Sequence, residues 1–166
     1  MKESKKQRKG TLNVSKAKGQ VQRGDLTTLA TLDAEALGVF CWSDVRPLAG
    51  VAAFLDWRLC GALSRTLESV FFEGRCSEVM LLCAKGRTPL SRLFVFGLGK
   101  SEEMSEMQLR HVSRQAFDIM RAAGVTKLVF AAPAVRHRED LEEAFVKAVQ
   151  EELPGRIDIL LVEYGA

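Results

Sequence analysis

The stretch RLFVFGLGKSEEMSEMQLR, residues Arg92–Arg110, joins an apolar run to two glycines and then to a helical pattern. A continuous apolar run of this kind is typical of a strand that is covered on both faces. Ser105 and Gln108 have the spacing of a capping box, which predicts that the helix begins at Glu106. A strand, a glycine loop and a helix in this order form the unit from which layered α/β domains are built.

The glycine loop half-matches two phosphate-binding motifs and completes neither. Gly99-Lys100-Ser101 match the end of GxxxxGK[ST], but Phe94 stands where its first glycine belongs. The pattern GxGxxG fits Gly97 and Gly99 and then fails at Glu102. We therefore interpret the glycines as hinges of a turn at the end of the strand. A small-ligand site near this loop is kept as an alternative, with the candidates Asp44, Gly97, Gly99 and Lys100.

Outward from this stretch, strand and helix patterns alternate along the chain. Besides Arg92–Gly97, strands are predicted at Leu26–Leu32, Ala36–Trp42, Glu78–Ala84, Lys127–Pro133 and Arg156–Gly165. Helices are predicted from Pro47 through Leu67, over Glu106–Ala123 with Gly124 as its stop, and over Glu139–Leu153. This order predicts a three-layer α/β/α domain around a mostly parallel, mixed central sheet.

The composition is that of a globular protein. The chain has 166 residues, of which 47% are hydrophobic and 27% are charged. Its apolar runs, such as Val79–Ala84, are far shorter than the ~20 residues of a membrane span. The N-terminus is polar and has no apolar stretch of the secretory kind. We expect a cytoplasmic protein without a membrane partner.

Charge is distributed unevenly along the chain. Residues 1–24 contain eight Lys or Arg residues and one acid, a net charge of +7, which leaves −4 for the other 142 residues. This segment has too few apolar residues to offset the entropy of ordering, so a disordered tail over 1–24 and a domain over 25–166 are predicted. The tail either binds an anionic partner such as nucleic acid through phosphate contacts or is merely solvated. The candidate nucleic-acid-binding residues are Lys2, Lys5, Lys6, Arg8 and Lys9.

No residue pattern indicates metal binding or catalysis. The four cysteines lack CxxC spacing and mostly lie among apolar neighbours, which predicts buried, reduced thiols. The histidines, His111 and His137, have no HxxxH or CxxH partner. We therefore predict no metal site, no cofactor and no catalytic residues.

Read together, the order of these segments resembles the N-terminal domain of leucyl aminopeptidases, the M17 metallopeptidases. The similar features are an apolar strand, a helix containing Leu55-Asp56, the turn Phe72-Glu73-Gly74 before a strand with Leu81-Leu82, and Gly97–Lys100 followed by a helix. The resemblance covers about residues 25–166 and implies a macro-domain-like α/β fold. In that family the domain precedes a separate catalytic domain with two divalent metals.

The resemblance does not extend to the family's catalytic signature, Asn-Thr-Asp-Ala-Glu-Gly-Arg-Leu. The single asparagine here is Asn13, in the basic segment, so no metal or catalytic residue of the family can be placed on this sequence. The resemblance thus implies a noncatalytic relative that binds a protein partner or itself. Three alternatives remain open: a nucleic-acid module that uses the tail, a macro-type module for ADP-ribose or a nucleotide, and residual aminopeptidase activity.

Overall fold

A computed structural model describes residues 19, 21–24, 28–31, 33–84, 86–135, 137–155 and 157–162. The strands are β1 Val21–Gly24, β2 Ala36–Trp42, β3 Val79–Cys83, β4 Arg92–Gly99, β5 Leu128–Ala131 and β6 Asp158–Val162. The helices are α1 Thr28–Thr31, α2 Gly50–Arg58, α3 Ala62–Leu67, α4 Glu106–Ala122 and α5 Glu139–Glu152.

The strands form one mixed sheet in the order β1-β6-β5-β2-β4-β3. All neighbouring pairs are parallel except β3 and β4, which are antiparallel. The predicted fold class, an α/β domain with a mostly parallel, mixed sheet, is confirmed.

Each face of the sheet is covered by helices. On β2, Phe40 and Trp42 belong to an apolar cluster that includes the buried residues of α4 and α5. Leu37 and Val39 alternate with them and belong to a second cluster with α2 and α3. Because successive side chains of a strand point to opposite faces, a strand buried on both sides needs the unbroken apolar run seen here. We call the two sides of the sheet the α4–α5 face and the α2–α3 face.

The helix predicted from Pro47 through Leu67 is wrong in two respects. It begins at Gly50, and it divides into α2 and α3. Cys60 has φ +55°, and the N–H groups of Cys60 and Gly61 donate to the carbonyls of Trp57 and Asp56. These two hydrogen bonds form the Schellman motif, which commonly ends helices. The Asp56 carboxylate of α2 also accepts from the backbone N–H and the hydroxyl of Ser64 in α3, so it links the two helices.

The N-terminal boundary also differs from the prediction. Val21–Gly24 pair with β6, so an element of the sheet lies before the predicted boundary at residue 25. The described part of the predicted strand Leu26–Leu32 is helix α1, in which the Thr31 hydroxyl donates to the carbonyl of Thr28. The β-branched composition that favoured a strand is thus outweighed by a local turn. Residues 1–18 and 20, including the predicted nucleic-acid-binding residues, lie outside the described part of the chain.

The prediction of buried cysteines holds for one thiol only. Cys41 is buried, and burial raises the pKa of its thiol to about 12. Cys60, Cys76 and Cys83 are free and exposed, because they lie at a helix end, in a loop and on an edge strand. Within the described ranges, no helix has the length and apolar character that crossing a membrane requires.

Candidate functional site

The candidate site lies where the chain leaves the carboxyl ends of β2 and β4. These two strands are parallel neighbours. The helices that follow β2 pack on the α2–α3 face, whereas the helix that follows β4 packs on the α4–α5 face. The connections therefore diverge and leave a crevice between the two strand ends. In open α/β sheets, ligands bind at such switch points.

A cleft of about 630 Å³ opens at this end of the sheet, and we call it the β2–β4 cleft. Its charged side chains are mixed in sign. The bases are Arg46, Arg75 and Lys100, and the acids are Glu68, Glu73 and Glu103. The remaining lining residues are Ser43, Leu67, Ser69, Val70, Cys76 and Gly99.

Asp44, a predicted ligand residue, spans the crevice beside this cleft. Both of its carboxylate oxygens lie 3.0 Å from the backbone nitrogen of Ser101, whose N–H donates to them. The hydroxyl of Ser101 also donates to Oδ2 of Asp44, at 3.1 Å. The carboxylate thus ties the loop after β2 to the loop after β4, a structural role that uses much of its acceptor capacity.

Lys100 extends from the end of β4 into solvent at the rim of the cleft. Its ammonium lies 2.8 Å from Oε1 of Glu103, and this hydrogen bond raises the pKa of Lys100. Both side chains are well exposed, so water screens the pair and an incoming anion can compete for the lysine. Of the predicted ligand residues, Lys100 is the one with a mobile charged group at the cleft.

The two glycines are explained by backbone packing. A Cβ at Gly97 would stand 2.0 Å from the carbonyl oxygen of Arg75, far inside contact distance. Gly99 has φ +80°, and its N–H donates to the carbonyl of Gly74. The segment that precedes β3 therefore passes directly against β4, and a side chain at Gly97 would push it away. At Gly99 there is room for a Cβ, but the positive φ favours glycine. Both glycines lie within β4 and pair with β2, so the interpretation as hinges of a turn after the strand is wrong. Gly97 is explained by the close backbone contact and Gly99 by its positive φ.

Helix α4 begins where the capping box predicts. The Ser105 side chain accepts from the N–H of Gln108, and the Gln108 side chain accepts from the N–H of Ser105. Because several residues separate Gly99 from this helix end, the capped N–H groups do not converge on the glycine loop.

Sequence reasoning missed three arginines near the site. Arg46 donates to the carbonyls of Trp42 and Val45 and lines the cleft. Arg75 pairs with Glu73 in the cleft wall. Arg138, before α5, donates to the carbonyl of Ser101, at 2.9 Å. The partners of Arg46 and Arg75 are close in sequence, whereas Ser101 is 37 residues from Arg138, so no local spacing signals that contact.

No second chemical centre is present in the ranges that the structure describes. In them, no group of three or more His, Cys, Asp and Glu side chains is arranged to hold a metal ion. His111 is exposed on α4, and His137 is exposed in a loop with φ +64°.

The two tryptophans differ in their exposure to solvent. Trp42, at the end of β2, is only 3% exposed, and its indole N–H donates to the carbonyl of Ala134. Trp57, on α2, is 69% exposed.

Large apolar side chains on the surface are concentrated at a few places. Val70 and Phe71, in the loop after α3, are 87% and 90% exposed. Val79 and Leu81 are exposed on the edge strand β3, and Met107 is exposed on α4. Exposed apolar residues in adjacent positions often mark binding surfaces.

Comparison with known proteins identifies relatives of this domain. The family model for the cytosol aminopeptidase family, N-terminal domain, matches residues 36–155. The probable cytosol aminopeptidase of Geotalea uraniireducens (strain Rf4) is 39% identical over 74 residues, which are 45% of this chain and 15% of that protein. That of Geobacter sulfurreducens is 33% identical over 103 residues, which are 62% of this chain and 20% of that protein.

Solved structures show the same fold at low sequence identity. Tomato leucine aminopeptidase has a TM-score of 0.62 and 15% identity, over 90% of this chain and 33% of that one. The macrodomain of Mycobacterium tuberculosis DarG has a TM-score of 0.55 and 15% identity, over 86% and 98%. The match spans a fifth or less of the two aminopeptidase sequences above. Since the family model covers most of the chain, this protein belongs to the cytosol aminopeptidase family, whose N-terminal domain it carries.

Proposed function

We propose that this domain acts as a noncatalytic protein-interaction module, and that the Val70–Phe71 loop belongs to its binding surface. One observation carries the proposal: Val70 and Phe71 are adjacent in sequence and are the most exposed of the large apolar side chains in the described part of the chain. Aromatic residues that become buried on binding often supply much of the affinity of an interface.

The exposed loop is held in place by its neighbours. The Ser69 hydroxyl lies 2.6 Å from the carbonyl of Thr66, and its oxygen also accepts from the N–H of Phe71. Phe72, the next residue, is buried in the cluster of the α2–α3 face. Because both sides of Phe71 are fixed, little conformational entropy is lost when a partner covers its ring.

Two side chains near the carboxyl ends of β2 and β4, those of Ser101 and Cys41, lack the features of an activated nucleophile, which favours binding over hydrolysis. The Ser101 hydroxyl donates to Asp44 and has no histidine base beside it in the described contacts. The buried thiol of Cys41 has a pKa of about 12, so it carries almost no thiolate near neutral pH. An activated nucleophile needs an adjacent base or a lowered pKa.

Two measurements test this function. The purified chain is expected to leave a leucine anilide substrate intact with added manganese or zinc, and hydrolysis above the buffer rate would contradict the proposal. A photo-crosslinking phenylalanine analogue at Phe71 is expected to give an adduct with a partner in cells. The same analogue at Glu143, exposed on α5, is the matched control. Equal adducts at both positions, or none at Phe71, would also contradict it.

A second candidate function is binding of ADP-ribose or a nucleotide in the β2–β4 cleft. Its position at the switch point and its three basic side chains favour this alternative. Calorimetry with ADP-ribose should then show binding that weakens when Lys100 is changed to Ala. The Lys147→Ala variant, on the exposed side of α5, is the control. No heat at millimolar ligand would exclude this candidate.

The basic segment leaves nucleic-acid binding as a further proposal. Mobility-shift assays at several salt concentrations should compare the full chain with a form lacking residues 1–18. The truncation must stop there because β1 is part of the sheet. A shift that disappears with the truncation supports the proposal, whereas no shift at low salt contradicts it. A cytoplasmic location for all of these functions agrees with the names of the relatives.

A further inference from the structure

We propose that the partner of this domain is a second copy of itself, bound through antiparallel pairing of β3 with β3 about a two-fold axis at Leu81. The proposal rests on the interaction function above, and it specifies one partner and a second surface, β3, which is separate from the Val70–Phe71 loop. It is built on the edge position of β3, its free backbone groups, its side chains and its self-complementary register.

The backbone groups that β3 presents to solvent follow from its pairing with β4. The N–H of Gly97 donates to the carbonyl of Glu78, and these two residues stand directly opposite each other in the register. Hydrogen-bonded and non-hydrogen-bonded pairs alternate along an antiparallel ladder. Met80 and Leu82 therefore bond to β4. Val79, Leu81 and Cys83 direct their N–H and C=O groups outward, at the edge of the described sheet.

The side chains of the same three residues are also exposed. Val79 and Leu81 lie opposite Phe96 and Phe94, which places them on the α4–α5 face. Leu81 is 58% exposed there, whereas Met80 and Leu82 pack on the other face. The edge thus combines free hydrogen-bonding groups with an uncovered apolar surface.

This edge lacks the usual protections against strand pairing. Its five residues, VMLLC, include no charge and no proline, and their register with β4 runs without a shift. Natural edge strands are commonly protected by charges, prolines or bulges. The opposite edge, β1, is four residues long and contains Gln22 and Arg23. The two edges therefore differ, and β3 is the one suited to adding a strand.

One register satisfies every outward group of β3. If Leu81 faces Leu81 of the second copy, Val79 faces Cys83 and Cys83 faces Val79. The three pairs then exchange about six main-chain hydrogen bonds. No like charges meet within the paired strands, because neither strand carries a charge. A two-fold pairing of identical surfaces also closes on itself and stops at two copies.

The basic segment of the chain fits this edge poorly. Residues 1–18 precede β1, which is at the opposite edge of the described sheet. They are rich in Lys and Arg rather than in the apolar residues that Leu81 would need as neighbours. A second copy of β3 supplies an uncharged apolar strand that matches this edge.

The first test is a disulfide at the axis. In a background with Cys60, Cys76 and Cys83 changed to Ser, Leu81→Cys would face its symmetry mate. The Cα atoms of a hydrogen-bonded pair are ~5.5 Å apart, within the range that a disulfide can bridge. Mild oxidation is expected to convert most of this variant to a covalent dimer. The matched control, Met107→Cys in the same background, places an exposed thiol on α4, outside both β3 and the Val70–Phe71 loop. Equal crosslinking of both variants, or none in either, would overturn the proposal.

The second test is reversible association of the unmodified chain. Five paired residues on each side make a small interface compared with the ~1,200 Å² of most stable complexes, so the dimer should dissociate on dilution. Sedimentation should show the mass doubling as concentration rises. Leu81→Lys should remove this doubling by placing like charges at the axis, while circular dichroism stays unchanged because Leu81 is exposed. Met107→Lys, on exposed α4, should leave the doubling intact.

The outcomes separate this proposal from the broader interaction function. A chain that stays monomeric at all concentrations, a Leu81→Lys variant that still dimerises, or growth beyond two copies would each overturn β3 pairing. A monomer that still gives a specific adduct at Phe71 would leave the interaction function standing with a different partner. Peptide hydrolysis by the purified chain would instead contradict the broader function and leave the strand pairing intact.

Discussion

The close contact between β4 and the segment that precedes β3 can be tested by adding a single methyl group at Gly97. Gly97→Ala would bring Cβ to 2.0 Å from the Arg75 carbonyl oxygen, which belongs to backbone and cannot rotate away. We expect a loss of ~2–4 kcal/mol in the free energy of unfolding, measured with urea. The control is Gly86→Ala, where φ is +74° and the space is open. It should cost only ~1 kcal/mol, and an equal cost at both positions would contradict the explanation.

The four cysteines should differ in how fast their thiols react with an alkylating reagent. Cys41 is buried and its thiol pKa is raised to about 12, whereas Cys60, Cys76 and Cys83 are exposed. Brief treatment of the native protein with iodoacetamide should therefore modify three thiols, and the fourth should react only after unfolding. Mass spectrometry of tryptic peptides reads out each site. Rapid labelling of Cys41 in the folded chain would contradict this assignment.

At the residue scale, the sequence suggested which residues lie at the candidate site but not which contacts they make. Asp44 and Gly97–Lys100 do meet at one crevice, because both segments follow parallel strands that end at the same edge. The use of Asp44 as an acceptor for Ser101, and the contact of Gly97 with Arg75, depend on loops that only the folded chain brings together. Arg138 was missed because its partner, Ser101, is far away in sequence.

Among the helices, α4 offers a direct test of local capping. Ser105→Ala removes the oxygen that accepts the N–H of Gln108, and should lower the free energy of unfolding by ~1 kcal/mol. Ser91→Ala, exposed in the turn before β4, is the control and should cause little change. Urea unfolding of the three proteins makes the comparison. Equal midpoints for the two variants would show that the cap contributes nothing measurable.

The start of β2 is linked to the loop before β5 by a pH-dependent contact. The hydroxyl and backbone N–H of Thr126 donate to the Glu35 carboxylate, at 2.5 and 2.9 Å, and these bonds hold its pKa below the ordinary value of 4.5. A lowered pKa in the folded state means that the contribution of Glu35 is present above pH ~4.5 and is lost as pH falls through the folded value. The urea midpoint should therefore fall on acidification less steeply in Glu35→Gln than in the unmodified protein. Parallel profiles from pH 6 to 3 would contradict this, and Glu143→Gln on α5 is the control.

Elements with strong local signals were predicted almost to the residue. β2 matches its prediction because an unbroken apolar run is typical of a strand that is buried on both faces of a sheet. α4 matches because Ser105 caps its N-terminus and Gly124 follows its C-terminus with a positive φ. The division of α2 from α3 was missed because the apolar stripe continues across it. Gly61 was the signal that could have revealed it, since its φ of +77° suits a helix end. At α1, strand propensity was a poor guide because it is weak compared with context.

For the molecule as a whole, we expect folding without metal. The two apolar clusters on the faces of the sheet account for the packing of every strand from β2 to β6 against a helix or a neighbouring strand. The melting temperature should therefore be the same with and without EDTA, measured by calorimetry. Metal-dependent domains lose stability when a chelator removes the ion. A sharp fall on adding EDTA would contradict the expectation, and added Zn²⁺ should then restore it.

The position of the two tryptophans gives the protein an optical readout that needs no label. Trp42 is shielded from water beside the β2–β4 cleft, so its emission should lie at shorter wavelength and resist quenching by iodide. Trp57 is open to solvent and should be quenched readily. With the signal of Trp57 suppressed in this way, any remaining change in fluorescence on titration would originate next to the carboxyl ends of the central strands.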